Sequence, residues 1–129
     1  MMDRDVIQIL LERWGSGTID EREVHEEAER LCDQYEEWPT LPERHPESIA
    51  MEVLSHLEIL NHQLITREDI PAMLAFLDTP LGKERQGWKT WRRYWDRLNL
   101  RSRRKVLKHN LYYSTEGLHG DDGNNREGS

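Results

Sequence analysis

The chain has 129 residues, a formal net charge of −7, 33% charged and 36% hydrophobic residues. That length fits one domain that can bury a core unaided, and a single Cys excludes an internal disulfide and any Cys-based zinc site. No run approaches the ~20 apolar residues of a membrane span, and no basic-then-apolar leader opens the chain, which predicts a cytoplasmic protein.

Asp3 and Asp5 precede Val6, Ile7, Ile9, Leu10, Leu11 and Trp14, so early acids and an apolar run predict a first helix, ended by Gly15-Ser16-Gly17. Thr18-Ile19-Asp20-Glu21 reads as a capping box with Thr18 at the N-cap. It opens a second helix to about Glu36, with Val24, Ala28, Leu31, Cys32 and Tyr35 on one face. Pro39, Pro42 and Pro46 make residues 37–47 a loop, pinned to the core by Trp38 and Leu41. Ser48 is the expected cap of a third, central helix to about Gln63, with Ile49, Val53, Leu57, Leu60 and Leu64 as its stripe.

Thr66-Arg67-Glu68-Asp69 reads as another helix start. Pro71 is tolerated only in a first turn, which places the fourth helix from about Asp69, with Met73, Leu74, Phe76 and Leu77 inward. The fifth helix, about 83–98, carries Trp88, Trp91, Trp95 and Leu98 on one stripe. Asn99 can cap a sixth, with Leu100, Leu107 and Leu111 inward. No segment alternates apolar and polar residues over a strand's length. The reading is all-α: an irregular bundle of five to six short helices over 1–113, followed by a disordered tail, 114–129, of Gly, Asp, Asn and Glu.

Charge divides the chain. Residues 1–56 hold 5 Lys+Arg against 15 Asp+Glu, a net of −10, whereas residues 81–110 hold 11 against 2, a net of +9. Either these segments neutralise each other within the fold, or each faces an external partner. On the second helix Glu23, Glu26, Glu29, Asp33 and Glu37 outnumber Arg22 and Arg30, whose expected partner is Glu26 at four-residue spacing. The basic segment, 89–108, offers Arg93, Arg97, Arg101, Arg104, Lys105 and Lys108. Trp88, Trp91 and Trp95 among these cations suggest base stacking beside phosphate contacts. The helical wheel argues otherwise: Arg93 and Arg97 point away from the indoles, which are read as core, with Arg92 as a cation–π neighbour.

Chemistry-bearing patterns are incomplete. His25-Glu26 begins like a zinc-protease helix, but position 29 is Glu where a second His is required. His56-Leu57-Glu58 echoes a zinc deaminase start without its two-Cys half. Glu116 and His119 have di-iron spacing but fall in the Gly-rich tail. Glu52 and His56, one turn apart, read as a hydrogen-bonded core pair, and Cys32 as a buried small hydrophobe. The expectation is a non-enzymatic protein with no cofactor and no metal site.

In size, helical content and the acidic helix Glu21–Glu37, the chain resembles the small acidic immunity proteins that bacteria keep beside toxic nucleases. The resemblance implies a partner-binding surface in which Glu23, Glu26, Glu29, Asp33 and Glu37 steer a basic protein, such as a nuclease toxin, and Tyr35 or Trp38 anchors it. The alternative is a small nucleic-acid-associated protein that uses Arg93, Arg97, Arg101, Arg104, Lys105 and Lys108. No membrane partner is expected.

Overall fold

A computed structural model describes residues 3–108, the side chain of His62 excepted. The described chain is all-α. It runs α1 (Arg4–Gly15), α2 (Glu21–Cys32), α3 (Pro46–Glu58), single-turn α4 (Leu60–Gln63), a 3-10 turn (Arg67–Asp69), α5 (Ile70–Leu77), α6 (Glu84–Arg97) and α7 (Leu100–Leu107). Leu111 and the tail 114–129 lie outside the described residues.

The Asp3 carboxylate accepts the Asp5 N–H at 2.9 Å and starts α1. Ile7, Leu10, Leu11 and Trp14 are buried, but Val6 and Ile9, expected to join them, are exposed. At 3.6 residues per turn both fall well to one side of the Ile7–Leu11–Trp14 face. The cap of α2 is Asp20 rather than Thr18. Its carboxylate accepts the Glu23 N–H at 2.9 Å, and Glu23 Oε1 accepts the Asp20 N–H at 3.0 Å. Thr18 is used to close α1: its N–H returns to the Arg13 carbonyl across Gly17, whose φ of +84° suits a residue without Cβ. The helix itself stops at Cys32, four residues early, because its end tightens into Gln34→Leu31 and Tyr35→Cys32 bonds and the next side chains, Glu36 and Glu37, are exposed acids with no face to bury.

α3 is the hub, touching α1, α2, α5 and α6. Ile49, Ala50, Met51, Val53, Leu54 and Leu57 leave it no wide polar face, as befits a helix buried on several sides. His45, not Ser48, is its N-cap, with Nδ1 accepting the Glu47 N–H at 3.1 Å and Pro46 in the first turn. Ser48 is buried; its hydroxyl donates to the Glu43 carbonyl at 2.8 Å and accepts Trp88 Nε1–H at 3.2 Å. The expected run to Gln63 breaks at Ile59, and α4 ends at Leu64 with φ of +55°. That reversal places both Leu60 and Ile65 in the core.

The Thr66 hydroxyl accepts the Glu68 N–H, and Asp69 reaches back to the Thr66 N–H at 2.9 Å, so the second box stands where the sequence put it. Pro71 lies in the first turn of α5. The Arg4 guanidinium closes the other end of α5, donating to the carbonyls of Leu77 and Thr79 at 3.0 and 2.6 Å, and reaches the Pro46 carbonyl at 3.2 Å. On α6, Trp91 is 3% exposed and stacks on Phe76 at 4.4 Å, while Trp88 and Trp95 pack half-buried against the core. Close approach of α6 to the preceding turn requires Gly87, since a Cβ there would stand 2.5 Å from Thr79 Oγ1. Asn99 caps α7 by accepting the Ser102 N–H at 3.0 Å. Leu100, expected inward, is exposed: α7 spans two turns and buries no residue, and Arg103 is drawn in ahead of it.

Candidate partner-binding surfaces

α2 packs on α3 and α1, which turns its acidic side outward. Glu23, Glu26, Glu29, Asp33 and Glu37 are all exposed. Glu23 also serves its own helix cap, and Glu29 stands 3.9 Å from His25. Arg30 pairs with Glu27 rather than Glu26; the hydrogen bond from Arg30 lowers the Glu27 carboxyl below its ordinary range. A three-residue step suits the Arg30 fork as well as a four-residue one, and Glu27 is the better sheltered of the two acids.

The acidic side runs into an aromatic edge. Tyr35 is half-buried, its hydroxyl pushed up by burial, and its ring meets Trp38 edge-on at 5.7 Å. Trp38, expected to pin the loop, is 42% exposed. It stands at the rim of a cleft of about 620 Å³ whose walls include Cys32, Asp33, His56 and Ile59, and Ile59 is 38% exposed. Cys32 is half-buried rather than buried, and burial followed by nearby carboxylates pushes its thiol up to about 11. At neutral pH it is therefore a thiol and a weak nucleophile.

His56 belongs to the wall of this cleft by way of the core. Its Nδ1 lies 3.0 Å from the Glu52 carbonyl, and its ring stacks on Trp95 at 5.2 Å. The Glu52 carboxylate accepts Trp91 Nε1–H at 3.0 Å and stands 3.6 Å from His56. Glu52 and His56 are thus a hydrogen-bonded pair that fixes two indoles. Among the described residues no group of three or more His, Cys, Asp or Glu could hold a metal ion, and no helix is long and apolar enough to cross a membrane.

The basic segment separates into paired and outward cations. Arg92 is exposed but paired, bidentate on Glu43 at 2.9 and 3.0 Å and 5.7 Å from the Trp88 ring centre. Arg103 turns in: Nη1 donates to Asp69 Oδ2 at 2.7 Å and to the Leu64 carbonyl at 3.2 Å. Asp69 is fully buried and also accepts the Tyr94 hydroxyl at 2.5 Å. Burial, then the Asp69 bond, pushes the Tyr94 phenol up to about 12. Burial works against the Arg103 charge, but Asp69 outweighs it and raises that group further. Arg93, Arg97, Arg101, Arg104, Lys105 and Lys108 are all exposed.

Arg92 neutralises Glu43 of the acidic segment 1–56, and Arg103 engages Asp69 before α5. The sequence reading anticipated Arg92 beside a Trp but missed Glu43, Asp69, Tyr94 and Arg4. Its only available signal was an Asp immediately ahead of the apolar α5. Compared with known protein families, curated proteins and solved structures, the chain matches none.

Proposed function

We propose that this chain is a non-enzymatic protein-binding module, immunity- or antitoxin-like, whose α2 presents acid to a basic protein such as a nuclease toxin. The observation that carries the reading is the half-exposed Trp38 at the rim of a cleft beside Asp33, at the end of the acidic helix. Surface carboxylates by themselves are ordinary. Carboxylates that lead to an exposed indole and an exposed Ile59 combine the two parts of a strong interface: charge that speeds encounter, and a desolvated anchor that slows release.

The test is co-expression with the product of the reading frame adjacent to its gene, followed by affinity capture and growth measurement. The wild-type chain is expected to bind and to restore growth. Trp38→Ala should raise dissociation about tenfold or more, as for a truncated hot spot, and Glu26→Lys with Asp33→Lys should slow association. Capture that survives all three substitutions unchanged refutes the assignment of this face.

A further inference from the structure

The outer side of α6 carries Arg85, Lys89, Arg93 and Arg97, one cation every four residues, and all four are exposed. At 1.5 Å per residue they stand about 6 Å apart along the axis, a ladder roughly 18 Å long. On α7, Arg101, Arg104, Lys105 and Lys108 are exposed and fall within about 100° of arc. None of Arg85, Lys89, Arg93, Arg97, Arg101, Arg104 and Lys105 forms an ion pair among the described residues, whereas Arg92 and the inward-turned Arg103 each hold a carboxylate.

We infer that this face binds the phosphate backbone of double-stranded nucleic acid without reading its sequence. Three features select that occupant. First, the face has cations at regular spacing and no aromatic anchor; its one flanking apolar side chain on α7 is Leu100, 47% exposed at the edge of the stripe. The indoles of α6 face the core, and Val106, though exposed, lies on the far side of α7 from the basic stripe. A protein partner needs such anchors for most of its binding energy, while a polyphosphate is held largely by release of condensed counterions. Second, single-strand binding relies on stacking platforms, and Trp88, Trp91 and Trp95 are committed to packing. Third, the cations are mostly Arg, whose planar fork matches phosphate oxygens. This surface is separate from the acidic α2 side, so it adds a second partner to the proposed module.

The test uses the full chain and a fluorescent 20-base-pair DNA duplex of random sequence, followed by anisotropy across a salt series. Affinity should fall with salt at a log–log slope of about −4 to −7, as expected for roughly five to eight neutralised phosphates. Arg93→Glu with Arg97→Glu should cost at least tenfold at low salt and flatten the slope by about 2, with the melting temperature unchanged. Glu26→Lys with Asp33→Lys should leave duplex affinity undiminished, which separates failure here from failure of the α2 assignment. No binding at low salt, or binding indifferent to Arg93 and Arg97, overturns the inference. So does equal competition by polyglutamate of matched charge, which would reassign the face to an acidic protein, or a clear preference for single strands.

Discussion

Removing the Asp69 carboxylate tests the joint that holds α7. Asp69 is fully buried and accepts three donors: Tyr94 Oη–H at 2.5 Å, Arg103 Nη1–H at 2.7 Å and the Thr66 N–H at 2.9 Å. Breaking a buried ion pair from one side costs about 3–5 kcal/mol, because the remaining charge is left without its partner. The lost cap at Thr66 adds about 1 kcal/mol in isolation, but groups in one network do not add. Against this, the Arg103 side chain is 11% exposed and keeps the Leu64 carbonyl, so its charge can still reach water. The lower end, about 3 kcal/mol, is therefore expected for Asp69→Ala, a large share of the ~5–15 kcal/mol of a typical domain. Urea unfolding followed by circular dichroism gives the number. A double-mutant cycle with Arg103→Met should return a coupling of about 2 kcal/mol or more. Single effects that add to within about 0.5 kcal/mol would show that the pair does not act as a unit.

Trp91→Ala should destabilise by about 3–5 kcal/mol through lost burial and the cavity beneath Phe76, and Trp88→Ala and Trp95→Ala by less, since both are half-buried; urea melts that rank Trp91 lowest contradict the packing. Because the native Tyr94 phenol is pushed up to about 12, the fold keeps a proton that the unfolded chain releases near 10. Stability should be full below pH 10 and fall as pH rises toward 12, and Tyr94→Phe should flatten that fall, read by thermal melts across the range. The Cys32 thiol, pushed up to about 11, should be alkylated far more slowly in the native chain than in the urea-unfolded chain at pH 8, as measured by mass spectrometry. Equal rates would mean that Cys32 is not sheltered.

Local chemistry makes most of the fold legible in the sequence. Pro71, the Thr66 box, the Asn99 cap and the Trp stripe of α6 each carry their reason within four residues. The miss at α2 is instructive, because Thr18-x-x-Glu21 and Asp20-x-x-Glu23 are both capping boxes, offset by two. Only the closure of α1 decides between them: the Thr18 and Ile19 N–H groups return to the Arg13 carbonyl, which leaves Asp20 to start the helix. Burial of Asp69 lay out of reach for a different reason. Its side-chain partners, Tyr94 and Arg103, are 25 and 34 residues away, and no periodicity reports which arginine will turn inward. The candidate surfaces follow the same rule. The acids of α2 and the outward cations were visible as charge, but the exposure of Trp38 depends on where the loop after Tyr35 runs.

Both strongly charged helices rest on the same hub. α2 and α6 each pack on α3, at interaxial distances of about 8–10 Å, and each turns its charged side away from it. At physiological salt the screening length is about 8 Å. Exposed charges farther apart than that couple weakly, whereas Arg92 and Glu43, in direct contact, neutralise each other. The two faces should also differ in kind. An interface anchored on Trp38 draws on burial and persists at high salt in its dissociation rate, with salt mainly slowing encounter. A face of exposed arginines without an aromatic anchor has counterion release as its main source of affinity and loses hold steeply as salt rises. If both partners bind, raising salt should strip the duplex first and leave the protein partner in place.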